Sequence, residues 1–205
     1  VVGLAYERRV GVRAREAWRA LSRGVGRYAG FEETFRAEVE LPEAVAGDYE
    51  ELEPALASLE GCDVALVAVP DEYSLPDELD YYAPLKQQAA MMGLPTQMVT
   101  YTTLNLVPRN PYVAFNLALN LYGKAGGVAW GLAEPLSTDA AVGLDVAGSY
   151  AVAAVLADAR DPRVEWAYQF NPDVEVAPVL EPLVLEALRL ASEARGRPLG
   201  SVAFH

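Results

Sequence analysis

Tyr82 and Lys86 stand four residues apart, Gln97 follows, and Asn116, Asn120 and Lys124 then recur at intervals of four. On a helix, side chains at i and i+4 share a face. Tyr82 and Lys86 would therefore aim a ring and an ammonium into one space, and Asn116, Asn120 and Lys124 would form one polar stripe. A terminal phosphate needs such a set. Two lysines neutralise nearly two negative charges, a carboxamide and a phenol donate neutral hydrogen bonds, and the ring stacks under a base. Taken singly, each residue has an ordinary explanation. Lys124 in a last helical turn favours the helix dipole, and Asn116 and Asn120 read equally well as solvated polar residues.

The surroundings of these residues sharpen the reading. From Tyr81 to Ala133 there is no Asp or Glu, although the chain carries 29 acids and a net charge of -13. Lys86, Arg109 and Lys124 make that stretch locally positive. Burial also excludes acids, but it leaves the two retained lysines unexplained. Clearing carboxylates from around two lysines suits an anion.

The elements that must position these residues follow an α/β pattern with a mainly parallel sheet. Helices are predicted over Ala14–Tyr28, Tyr49–Leu59, Tyr81–Met92 and Tyr112–Lys124, the last two closed by Gly93 and by Gly126-Gly127. Strands are predicted over Phe35–Leu41, Cys62–Val69 and Gln97–Tyr101; the continuous apolar run CDVALVAV reads as a buried central strand. A polar turn with Pro135 marks a domain boundary, giving domains over 1–132 and 133–205. The second domain reads as hairpin-linked strands over Ala141–Val146, Tyr150–Ala157 and Val164–Phe170. A helix over Pro178–Arg195 and a strand over Leu199–Phe204 complete it, the order that opens an RNase H-like domain. The chain begins at Val1 and stops on that uncapped apolar run, so it reads as a piece of a longer protein.

Composition excludes several chemistries. Cys62 is the only cysteine and His205 the only histidine, which rules out an internal disulfide or a thiolate zinc site and argues against a Ser-His-Asp centre. No apolar run reaches the roughly 18 residues of a membrane span. No charged leader precedes an apolar core, so the expected compartment is the cytoplasm. The negative charge argues against a general nucleic-acid coat protein, though not against a dedicated phosphate pocket.

Tyr82-Ala-Pro-Leu-Lys86, Leu94-Pro-Thr-Gln97 and Asn116-Leu-Ala-Leu-Asn120-Leu-Tyr-Gly-Lys124-Ala-Gly-Gly127 together resemble the MID domain of Argonaute proteins, most closely the prokaryotic ones. The resemblance implies a Rossmann-like MID domain followed by the start of an RNase H-like PIWI domain. It implies that Tyr82, Lys86, Gln97 and Lys124 hold the 5′-phosphate of a short guide DNA or RNA, Tyr82 also stacking on the first base. Asn116 matches a position that touches the guide near its 5′ end. Asn120 matches one that is lysine in eukaryotic members and, in some prokaryotic ones, a polar residue near a divalent cation, so Mg²⁺ (or Mn²⁺) is expected to supply part of the charge. The family's C-terminal carboxylate, which usually completes this pocket, is not in this sequence.

Gly143-Leu-Asp145-Val146 looks like the first PIWI strand, which implies that Asp145 is the first metal-binding carboxylate and, by position, Glu175 a catalytic glutamate, with Glu181 its competitor. Read from the residues alone, an Asp within AAVGLDVA is costly to bury unless paired or metal-bound, or else sits at a strand end facing water. The strand at Leu199–Phe204 stops just short of the family's second aspartate, so this chain alone is expected not to cleave. The parent is expected to pair its guide with a complementary target strand and cut it, or to be catalytically silent and recruit an effector protein. A small nucleotide or sugar-phosphate binder is the other reading; no Gly-x-Gly-x-x-Gly or Gly-Lys-Ser/Thr loop supports it. Arg15, Arg19, Arg23 and Arg27 form a basic stripe expected to pair with the acidic helix over Tyr49–Leu59. The acidic loop Pro70–Asp80 matches the family segment that reads the first guide base.

Overall fold

The computed structural model describes residues 1–48, 50–71, 82–131, 133–147, 150–158, 161–169 and 177–205. The chain divides into two compact units, Val1–Ala129 and Trp130–His205.

The first unit is built on a four-stranded sheet: β1 (Val2–Glu7), β2 (Glu43–Ala46), β3 (Val64–Val69) and β4 (Thr96–Thr100). Its order is β2-β1-β3-β4 and every pairing is parallel. Both β1 and β3 are buried along their whole length, as parallel strands covered on two faces must be. Alternation along β3 sorts the core. Val64, Leu66 and Ala68 face one cluster with α1 (Gly11–Arg23), α5 (Tyr101–Leu106) and α6 (Pro111–Lys124). Ala65, Val67 and Val69 face the other, with α3 (Leu52–Leu56) and α4 (Tyr82–Met91). The short helix α2 (Phe31–Phe35) closes the connection after α1. Fully buried Leu4 and Leu66 each contribute about 1.5–3 kcal/mol through burial.

Several local expectations need correction. The helix expected over Ala14–Tyr28 runs Gly11–Arg23 and stops at Gly24, whose φ of 90 is left-handed. A Cβ there would lie 2.2 Å from the Tyr28 carbonyl oxygen, so the turn demands glycine. The strand expected over Phe35–Leu41 is not one. Phe35 ends α2, Arg36 turns left-handed at φ 54, and the ladder strand begins only at Glu43. The alternation is nonetheless real, since Phe35, Ala37, Val39 and Leu41 all pack against the core. Core packing of an irregular lead-in imitates a strand's period. Strand β1 and helix α5 were not anticipated.

The second unit is a mixed sheet of order β7-β6-β5-β8 with one long helix. β5 (Ala140–Ala147), β6 (Tyr150–Asp158) and β7 (Asp161–Gln169) are antiparallel neighbours, and β8 (Val202–Phe204) returns parallel to β5. Helix α7 (Ala177–Arg195) lays Leu183, Ala187 and Ala191 against Val142, Ala153 and Val155. Asp139 ties the two ends together: its carboxylate accepts from the Gly200 and Ser201 amides at 2.6 and 3.1 Å and from Arg197. Those donors hold its carboxyl below the usual aspartate range.

Candidate functional site

Strand β4 is the last in its sheet, so among the described residues one side of its backbone has no ladder partner. Helix α4 lies on one face of that sheet and α6 on the other. Their lysines reach around the open edge from opposite faces and meet. Lys86 Nζ donates to the Thr96 carbonyl oxygen at 2.9 Å and to Thr96 Oγ1 at 2.8 Å. Lys124 Nζ donates to the same carbonyl at 2.8 Å and to Gln97 Oε1 at 2.9 Å. Gln97 is held in turn, its Nε2 donating to the Met98 carbonyl at 2.9 Å. Tyr82 opens α4 with its ring 54% exposed, and Lys86 Nζ lies 5.6 Å from the ring centroid. The four phosphate-site residues expected from sequence therefore converge on one locus. Two details differ. The Gln97 donor is already engaged with backbone, and the shared hub is Thr96, which sequence reasoning missed. A threonine heading a strand beside that glutamine was the available signal.

Local rules explain why the lysines arrive there. Asn110 caps α6, accepting from the Tyr112 and Val113 amides at 3.0 and 3.3 Å, and Pro111 occupies its first turn. At the far end Gly126 takes φ 87 and the Gly127 amide bonds back to the Tyr122 carbonyl, so the helix stops just after Lys124. That end presents roughly half a negative charge. It draws Lys124 in but opposes an anion, and two ammonium charges outweigh it.

The electrostatics are those of an incomplete cluster. Neither ammonium has a carboxylate partner among the described residues; both rest on neutral oxygens. Burial, and then the neighbouring Lys124 charge, push Lys86 below the usual lysine range; burial lowers Lys124. Two like charges are thus held around one neutral acceptor, with no carboxylate counter-ion among the described residues.

Asn116 and Asn120 lie exposed on α6 in line with Lys124 and take no part in the lysine cluster. Asn120 offers one neutral oxygen and α6 has no carboxylate. Asp145, on β5, is exposed, and its Oδ1 accepts the Val146 amide at 2.8 Å. Among the described residues no group of three or more His, Cys, Asp or Glu side chains is placed to hold a metal. The described residues thus do not by themselves fit the Mg²⁺ or Mn²⁺ expected from the resemblance, and no catalytic step is assigned to them. Glu175 lies outside the described residues, as does most of the loop Pro70–Asp80.

The arginines of α1 do not pair with the acidic helix as expected. Arg15 instead grips Glu43 of β2 at 2.9 Å, and Glu43 also accepts the Tyr6 hydroxyl at 2.6 Å. The reason is topological: α1 and α3 pack on opposite faces of the sheet. Among the described residues no helix is long and apolar enough to cross a membrane.

No protein-family model and no curated protein matches the sequence. Solved structures do match in fold. An Argonaute from Aquifex aeolicus superposes with a TM-score of 0.58 at 18% identity, covering 100% of this chain and 31% of that one. The Argonaute from Methanocaldococcus jannaschii gives 0.56 at 17% identity, covering 91% and 28%. Aa-Ago with externally bound siRNA gives 0.54 at 16% identity, covering 94% and 29%. The chain spans under a third of the length of these structures. Over that span it has the α/β fold of Argonaute proteins.

Proposed function

We propose that residues 1–129 form a MID-like domain that anchors the 5′-phosphorylated end of a short guide DNA or RNA, and that residues 130–205 are the opening part of a PIWI domain. The observation that carries this reading is the meeting of Lys86 and Lys124 on the Thr96 carbonyl, with no carboxylate partner for either among the described residues. A strand terminus bearing a phosphate supplies the missing negative charge. The lysines exchange a neutral carbonyl for charged oxygens, a stronger class of hydrogen bond. Gln97 fixes Lys124 in position, and the exposed Tyr82 ring offers a stacking surface for the first base. One of the similar structures, Aa-Ago, is described with externally bound siRNA, which supports nucleic acid as the ligand class. Within a full-length protein this anchor would place the guide for pairing with a target strand; whether cleavage or effector recruitment follows is decided outside this unit.

The test compares 5′-phosphorylated with 5′-hydroxyl oligonucleotides of one sequence by fluorescence anisotropy. The phosphorylated strand should bind more tightly by at least tenfold, and that margin should vanish in the Lys86→Ala, Lys124→Ala double variant. Equal affinity for the two strands in the unsubstituted chain refutes the assignment.

A further inference from the structure

An apolar cavity of about 180 Å³ opens at the other end of α6, lined by Arg27, Tyr28, Pro111, Tyr112 and Phe115. It is smaller than the ~300 Å³ at which drug-sized ligand sites begin, so it suits one flat ring system. Tyr28 is buried, donates its hydroxyl to the Leu21 carbonyl at 2.7 Å, and meets Phe115 edge to face at 6.2 Å. Tyr112 sits in the capped first turn of α6, yet its side chain is 72% exposed. Arg27 is exposed beside it, with no carboxylate partner among the described residues.

Position relates this cavity to the phosphate site. Tyr112, Asn116, Asn120 and Lys124 follow one another at i+4 along α6, all four exposed, so they form one stripe. Twelve residues at ~1.5 Å of rise separate its ends by ~18 Å along the helix axis, while the stripe winds about a third of a turn around it. A stacked strand advances ~3.4 Å per nucleotide, so about five nucleotides span that distance. The stripe carries no acid, begins at a cation and ends at an exposed ring with an arginine beside it. That combination of stacking platform and cation matches single-strand binding chemistry.

We propose that Tyr112 and its cavity receive one base of the same strand whose terminal phosphate sits at Lys86 and Lys124, with Arg27 against that nucleotide's backbone. The proposal rests on the phosphate reading above and adds a second, internal point of attachment. The experiment uses the 205-residue chain and 5′-phosphorylated oligonucleotides carrying 2-aminopurine at each of positions 2 to 8 in turn. The protein-dependent emission change should concentrate at one or two adjacent positions. Tyr112→Ala should abolish it and weaken binding roughly 5- to 150-fold, whereas Tyr112→Phe should keep both. The preference for 5′-phosphate should survive in either variant. Emission that ignores Tyr112 at every position, or undiminished affinity in Tyr112→Ala, overturns the proposal while leaving the phosphate site standing. Absence of any 5′-phosphate preference in the unsubstituted chain overturns the phosphate site itself and this proposal with it.

Discussion

Arg9, Arg15, Arg189 and Arg197 each rest against a carboxylate: Glu7, Glu43, the pair Glu186 and Glu193, and Asp139. Lys86 and Lys124 rest against a peptide carbonyl, a hydroxyl and a carboxamide. The first group lies where the sequence supplies acids, the second inside the acid-free stretch from 81 to 133. Cations of the first kind already have their counter-ions and mainly stitch elements together. Those of the second kind have no carboxylate partner among the described residues, and a charge left uncompensated is what can recognise an anion from outside.

Removing the uncompensated charge should produce the largest effect. Lys86→Ala and Lys124→Ala should each cost about 1.5–3 kcal/mol of affinity for a 5′-phosphorylated strand, as expected for hydrogen bonds to a charged group, with Arg15→Ala close to neutral in the same titration. If Arg15→Ala weakens binding as much as the lysine variants, compensated and uncompensated cations do not differ in anion recognition. Supplying the missing counter-ion from within should act next most strongly. Gln97→Glu would pair with Lys124 and lower phosphate affinity by about 1.4 kcal/mol, a tenfold change, without loss of thermal stability; unchanged binding would show that the cluster tolerates an internal acid. In the compensated region, Glu43→Ala should lower folding stability by about 1 kcal/mol, the worth of a typical hydrogen bond, and leave the phosphate preference intact. Urea unfolding and the same binding assay would check both halves.

The smallest effect is on pH. Both lysines titrate below the usual lysine range in the free protein, while the bound form needs them charged. Affinity for a 5′-phosphate should therefore be constant at neutral pH and decline as pH rises through those lowered values, earlier than for an ordinary lysine. It should also fall below about pH 6 as the phosphate takes up its second proton. An affinity that rises with alkalinity would contradict the role of the ammonium groups.

Much of this arrangement was legible in the residues. The strand at Val64–Val69 announces itself by an unbroken apolar run, and α4, β4 and α6 by period, glycine stops and Pro95. Side-chain type and i+4 spacing singled out Tyr82 with Lys86 and put Lys124 in line with Asn116 and Asn120; only the resemblance grouped Tyr82, Lys86, Gln97 and Lys124 as one set. The hub was not legible, because a carbonyl looks the same at every residue. Only the position of β4 at the sheet edge leaves that of Thr96 open to two lysines. Helix α5 was hidden behind a strand reading that ran one residue too far. The Thr100 hydroxyl oxygen, which accepts the Thr103 amide at 3.3 Å, caps the helix and marks its true start. Strand β1 was overlooked at the head of the chain, where Gly3 interrupts its apolar pattern; a Cβ there would lie 2.8 Å from Leu59 Cδ1. Asp145 shows the limit of residue type. Its context fits a metal ligand and a solvated strand residue alike, and its described bond is to its own neighbour's amide.

Among the described residues no strand pairs with the outer flank of β4. An open strand invites another to add alongside it and begin self-association, and here two ammonium groups stand guard over the first carbonyl of that flank. A chain stripped of both lysines should consequently lose solubility as well as affinity, precipitating at concentrations where the unsubstituted protein stays dispersed.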